Sequence, residues 1–283
     1  MSVLPGDLTA LILKLVLGTF AFAWVLWTVR AVNPRAVGMT LTFPALNGVV
    51  MLTMTDKVVS EMVVAIFPLM FFNGFLAAIF VALRRRLDQW LVIALCLAAW
   101  AAIAVLMECD AVKAHRWGLA EGMAILILIC AGWAFFRLRA LGAAMPAPPA
   151  HEETIGEFLH SRASRILLFF VSLLIVSTVA HVWRDAHSLV GRASALPLIP
   201  LFVLHWAVNA RRADLAELRV GAMIGPVVAD GFLLLFAWTL SFIRGDEGLL
   251  HPLYWPAGLA ALLIEWELAR RAILGLSRLT SRR

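Results

Sequence analysis

Charge is what this sequence has least of: 15% of its 283 residues are Asp, Glu, Lys or Arg, against about a quarter in a typical soluble domain. With an apolar share of 63% and a mean hydropathy of +0.91, that scarcity excludes an ordinary water-soluble design and points to lipid. Cysteine is nearly absent too. Three residues cannot close a disulfide framework; Cys96 and Cys130 fall within apolar runs and Cys109 stands alone. No HExxH helix, Gly-rich phosphate loop or Gly-x-Ser-x-Gly elbow occurs, so neither an enzyme nor a cofactor is expected. Glu108, Cys109 and Asp110 with His115 match no zinc spacing, and no metal site is expected there. The amino terminus lacks the basic n-region and small-residue cleavage site of a secretory signal, so its apolar run is expected to remain as a span. The formal charge of +6 and pI of about 10 are read by position, since basic residues collect in cytoplasmic loops of membrane proteins. They do not imply nucleic acid.

Nine apolar runs are long enough to cross about 30 Å of hydrocarbon as helices: 8–28, 36–54, 58–83, 87–107, 118–136, 166–182, 193–208, 215–242 and 249–269. The Pro/Ala-rich, acidic stretch 141–157 reads as a solvated linker. Turns are expected at Asp56-Lys57 and over 209–214. Nine spans put seventeen arginines on one side and six basic residues on the other. The positive-inside rule then places the amino terminus outside and the carboxyl terminus in the cytoplasm of a multi-pass membrane protein. Tyr254 and several tryptophans, among them Trp90, Trp117, Trp183 and Trp255, lie near span ends as interface anchors. Arg84 to Arg86 and the tail from Arg278 to Arg283 would meet anionic lipid headgroups at the cytoplasmic face.

A pattern recurs between 58–83 and 215–242. Each copy has a glutamate (Glu61, Glu217), a proline (Pro68, Pro226) and a polar residue before Gly-Phe-Leu, namely Asn73 and Asp230. Pro44 and Pro200 precede the two glutamates by 17 residues each. This is the mark of an internal duplication. Spans one to four begin and end outside, the fifth crosses inward, and six to nine begin and end inside, so the halves are inverted. The fold expected is an all-α polytopic bundle of about nine helices arranged 4+1+4. Its parts are a first repeat (1–110), a linking span (111–140), a cytoplasmic linker (141–163) and an inverted second repeat with a basic tail (164–283).

A charge in hydrocarbon costs at least a few kcal/mol unless paired or hydrated, so depth ranks the candidates. At about 1.5 Å per residue, Asp230 lies within roughly 2 Å of its span centre and Asn73 within roughly 4 Å. Lys14 lies at a similar depth. An ion pair between Lys14 and Asp230 is expected, or a protonated Asp230 in its absence. Pro68 with Gly74, and Gly225-Pro226 with Gly231, are expected to interrupt corresponding helices beside a midplane site. Glu61 and Glu217 lie near opposite membrane faces, either as gates or as interfacial carboxylates at helix N-termini. Glu265 and Glu267 lie near the inner end of their span and read as interfacial. His205 is a further candidate on the substrate or ion pathway, with a hydrogen-bonded packing role as its alternative; Asn47 also lies within a span.

The stretch 195–225 resembles the GlpM-like family of small, four-span bacterial inner-membrane proteins. Pro197, Pro200, His205, Leu218 and Arg219 carry the likeness; in the first half Lys14 and Pro44 share it, without a following histidine or Leu-Arg pair. The resemblance implies a duplicated, fused member in the bacterial inner membrane and an association with envelope polysaccharide production. The function expected is a secondary transporter, proton or cation coupled, moving a small or amphiphilic solute, lipid-linked cargo included. The alternative is a non-transporting subunit supporting envelope polysaccharide or lipid biosynthesis. Besides the bilayer, a homodimer or an envelope-biosynthesis partner is expected.

Overall fold

A backbone without water must bond to itself, and helices do this within one segment. Every regular element among the described residues of the computed structural model is a helix. The structure describes residues 16–17, 19–20, 34–41, 45–52, 56–83, 86–107, 109–142, 201, 215–244 and 253–281. In chain order the helices are α1 (Pro34–Leu41), α2 (Ala45–Leu52), α3 (Asp56–Leu83), α4 (Gln89–Leu106), α5 (Asp110–Ala114), α6 (Arg116–Ala140), α7 (Leu215–Gly221), α8 (Gly225–Arg244) and α9 (Tyr254–Ser281). Most of the expected spans 8–28 and 193–208, and all of 166–182, lie outside the described residues.

Several boundaries depart from expectation. Within the expected span 36–54 the described helices are α1 and α2, and residues 42–44, Pro44 among them, lie outside the described residues. The span 215–242 is divided. Helix α7 stops at Gly221, the N–H groups of Met223 and Ile224 bond to Val220 and Gly221 at 3.1 and 3.0 Å, and α8 begins with Gly225-Pro226. Pro226 therefore occupies the first turn of a helix, where no internal N–H bond is lost. Pro68, by contrast, lies inside an unbroken α3, and Gly231 lies inside α8. The expected matched interruptions thus hold in the second copy alone; a long packed helix absorbs one missing bond. Asp56-Lys57 is the first turn of α3 rather than a connecting turn.

Helix α9 runs to Ser281, well past the expected boundary at 269. Hydropathy falls at Arg270 and Arg271, but both guanidiniums bond to Glu267 one turn back at 2.7 and 2.8 Å, so the helix continues. Other ends carry legible signals. Asp88 caps α4 by accepting from the Trp90 N–H at 2.8 Å. Helix α6 has Arg137 and Arg139 in its last turn, favourable to the dipole, and ends in Gly142 at φ 84°, the left-handed conformation that glycine adopts most readily.

Two helical stretches, Arg116–Ala140 and Ala216–Arg244, are long and apolar enough to cross a membrane by length and composition. On α6 the apolar side chains Ile125, Leu128, Ile129 and Phe136 are all exposed, a surface compatible with a membrane helix. The main core joins Leu69, Leu76 and Phe80 of α3, Trp100 of α4, and Phe236 and Leu240 of α8. A second cluster joins Met39, Leu138, Ile224 and Ile273. Helix α8 is thereby packed against α3 and α9, and α1 lies against α7.

Candidate functional site

Two buried polar clamps bound the bundle. Arg35 opens α1 just after Pro34, and its guanidinium is fully buried. Its Nε and Nη2 donate to Glu217 Oε1 at 3.0 and 2.6 Å. Nη2 also donates to the carbonyl of Gly142 at 2.8 Å, and Nη1 to the carbonyl of Thr280 at 2.5 Å. The left-handed turn at Gly142 and the last turn of α9 leave carbonyls without helical donors. One arginine satisfies both, with Glu217 balancing its charge. A side chain added at Gly38 would overlap the Leu218 carbonyl, and one at Gly221 would approach the Arg35 carbonyl to 2.6 Å. These two glycines let α1 and α7 touch backbone to backbone. The close approach is what brings Arg35 within reach of Glu217.

The second clamp lies at the opposite end of α8. Tyr254 Oη donates to the Leu52 carbonyl at 2.6 Å and accepts from Arg244 Nη2 at 2.8 Å; Nη2 also reaches the Met51 carbonyl at 2.9 Å. The guanidinium carbon lies 5.1 Å from the centre of the Tyr254 ring. Here again a cation and a hydroxyl from other helices satisfy the final carbonyls of a short helix, α2. Tyr254 is fully buried, which corrects its expected role as an interface anchor. Trp90 and Trp117 are exposed, and Trp183 lies outside the described residues.

The clamps set the register of α8 and α9. Arg244 meets Tyr254, Leu240 packs near Gly258, Phe236 and Leu262 flank Gly48, and Leu233 shares a crevice with Glu265 and Trp266. The helices are therefore antiparallel, and Asp230 falls one turn beyond Leu233. By count Asp230 is thirteen residues from Glu217 and fourteen from Arg244, midway between the clamps. On α3, a side chain added at Gly74 would come within 2.9 Å of Pro226 and of the Ala222 carbonyl. The two copies of the repeated pattern thus touch, at Gly74 and Pro226, beside Asn73 and one turn from Asp230.

Between the clamps the buried polar side chains include Asn47, Asn73, Asp230 and Glu265. Asp230 is 4% exposed, and neither carboxyl oxygen has a hydrogen-bond partner among the described residues. Asn47 Nδ2 is likewise unpartnered among them. Asn73 donates to Met70 Sδ at 4.0 Å. Glu265 faces a crevice lined also by Gly48, Phe232, Leu233, Phe236, Leu262 and Trp266, roomy enough for about one water molecule. A comparable crevice at Phe71, Gly74, Cys130 and Pro226 is apolar.

No family model, curated protein or solved structure matches this chain. The residues expected at the site divide accordingly. Asn73, Asp230, Pro68 and Pro226 are buried on helices α3 and α8, which are in contact. Glu217 lies in the first turn of α7, where it is half of a buried ion pair with Arg35. Glu61 lies in α3, and nothing further is described of its side chain. Lys14 and His205, and with Lys14 its expected pair with Asp230, lie outside the described residues. Among the described residues no group of three acidic, His or Cys side chains could hold a metal. Arg35 and Glu265 were missed. Arg35 reads in sequence as one more loop arginine, although Pro34 before it and Gly38 one turn on signal a close helix contact. Glu265 reads as interfacial because hydropathy ends α9 early.

Proposed function

We propose that this chain is a multi-pass, proton-coupled or cation-coupled secondary transporter of the bacterial inner membrane, built as inverted 4+1+4 repeats and working by alternating access around Asp230 and Asn73. The observation that carries the proposal is Asp230: a carboxyl buried midway between two polar clamps, with no hydrogen-bond partner among the described residues. Such a group is costly to bury, and intramembrane carboxyls are characteristic of proton and ion pathways.

The arrangement has further support. Arg35, Gly142, Glu217 and Thr280 meet at one end, and Met51, Leu52, Arg244 and Tyr254 at the other. Nine alternating spans require this grouping of helix ends. The first group belongs to the side richer in arginine, hence the cytoplasmic side. Alternating access would open one clamp at a time, each spanning segments from both halves. The small crevices favour a proton or small cation as the coupling species, with any larger solute admitted only when a clamp opens. The GlpM-like resemblance adds an envelope setting for that solute, lipid-linked cargo included.

The test is proton flux. Purified protein in liposomes loaded with a pH-sensitive dye, under an imposed potassium diffusion potential, should acidify or alkalinise the lumen faster than empty liposomes. Asp230→Asn should abolish the difference. Equal flux from wild type and empty liposomes would remove the transport proposal and favour a non-transporting subunit of envelope polysaccharide or lipid biosynthesis.

A further inference from the structure

Helix α6 gives the rest of the bundle one face only. Ala120, Ile127 and Ala134, at seven-residue spacing, are 8, 3 and 0% exposed. The opposite stripe, Gly118, Gly122, Ile125, Ile129, Gly132 and Phe136, has the alternating four and three spacing of a seam between helices. Ile125, Ile129 and Phe136 are exposed there, and a side chain added at any of the three glycines would meet nothing within 4 Å among the described residues. The exposed stripe of α8 differs: Gly231 is its one glycine, beside the bulky Leu235, Trp238 and Phe242. One residue on the free side of α6 does not suit lipid. Glu121 is exposed between Gly118 and Gly122. It lies roughly 9 Å from the centre of the apolar run 118–136 at 1.5 Å per residue, inside a hydrocarbon layer whose half-thickness is about 15 Å. A carboxyl at that depth calls for a polar partner.

We infer that two copies of this chain associate through this face of α6, as a parallel pair about a two-fold axis along the membrane normal, with the two Glu121 carboxyls brought together beside the axis. Copies inserted with one orientation hold α6 at one depth, so each layer of the seam meets its own counterpart. Gly118 and Gly122 let the two backbones approach closely at the level of Glu121. There the carboxyls leave lipid and hydrogen-bond to each other through a shared proton. Farther along, a ring and a gap alternate: Phe136 of one copy packs beside the partner's Gly132, one turn back, as a knob enters a hole.

The area is sufficient. Ile125, Leu128, Ile129, Trp133 and Phe136 each keep more than half of their surface exposed, about 100 Å² apiece. Pairing two such faces covers about 1,000 Å² in total, the lower end of what a specific interface buries. The seam stops at Phe136, before Arg137 and Arg139 of the last turn, so like charges are kept out of it. Association of this kind requires α6 to span the bilayer and does not require the chain to carry flux.

Subunit counting tests the pair. Fluorescently labelled full-length protein in liposomes, followed by single-molecule photobleaching as it is diluted into lipid, should bleach in two steps. Gly122→Ile and Gly118→Ile should each weaken association at least tenfold. Open space surrounds both glycines, so the unfolding midpoint of these variants should equal that of wild type, which separates lost pairing from misfolding. Glu121→Leu should weaken the pair as well, whereas Glu121→Gln, which keeps a hydrogen-bonding side chain, should retain most of it. In a chain with Cys96, Cys109 and Cys130 replaced by alanine, Ile125→Cys and Ile129→Cys should form disulfide-linked dimers under mild oxidation, and Trp238→Cys on the exposed face of α8 should not. Single-step bleaching of wild type at every dilution would mean that lipid or a different protein covers this face, and it overturns the inference. A dimer that survives both glycine variants, or that cross-links through Trp238→Cys as readily as through Ile125→Cys, overturns it too.

Discussion

Replacing Arg35 with alanine should be the most damaging single change at its end of this bundle. The side chain is fully buried and its partner Glu217 is 5% exposed, so the substitution leaves a buried carboxylate without its cation. Breaking such a pair from one side costs about 3–5 kcal/mol. The carbonyls of Gly142 and Thr280 lose their donor as well, at about 1 kcal/mol or more each unless water enters. At roughly 2 °C or more per kcal/mol for a chain of this size, Arg35→Ala should lower the unfolding midpoint in detergent, followed by tryptophan fluorescence, by about 8 °C or more. Removing both partners has a different outcome. In Arg35→Met with Glu217→Leu no charge is stranded, and apolar replacement of a buried pair is often close to neutral. The double variant should therefore be more stable than Arg35→Ala. Arg35→Lys should recover little, because one ammonium cannot reproduce the planar fork that reaches Glu217, Gly142 and Thr280 together. An Arg35→Ala midpoint within error of wild type, or a double variant as unstable as the single, would refute the clamp as the element that ties α1, α6, α7 and α9.

Other sites give contrasting expectations. Tyr254→Phe keeps the ring over Arg244 but removes the hydroxyl that serves both Leu52 and Arg244; a loss of about 1–3 kcal/mol is expected, and thermal unfolding unchanged from wild type would contradict it. Gly38→Val drives a side chain into the Leu218 carbonyl and should separate α1 from α7. Added to Glu217→Gln it should then cost far less than the sum of the two, since both act on one contact; full additivity would argue against that shared contact. Glu267→Gln loses two ion pairs on the exposed side of α9, where solvent screens them. Its unfolding midpoint should not move resolvably, and a large drop would mean that the outer face of α9 is covered.

How much of this was legible beforehand differs by residue, for reasons that can be stated. Asp230 stood out because a lone carboxyl in a long apolar run is costly, and that cost depends on composition alone. The helical class followed from the same composition, since apolar surroundings leave the backbone few other ways to bond. The identical Pro residues of the repeated pattern were misleading. Pro68 and Pro226 look equivalent in sequence, but the second lies at a break where α7 crowds against Arg35, while the first is carried inside α3.

Chain composition and periodicity by themselves determined that this protein is helical, where apolar runs lie, and that Asp230 is an expensive residue to bury. Only tertiary packing decided that Arg35 is a structural cation rather than a loop charge, and that Glu265 is buried beside Gly48, Leu233 and Trp266. The physical reason is range. Hydropathy and helix propensity act within one segment, whereas Arg35 bonds to the Thr280 carbonyl 245 positions along the chain. No local pattern encodes which distant carbonyl or carboxylate a buried side chain will meet.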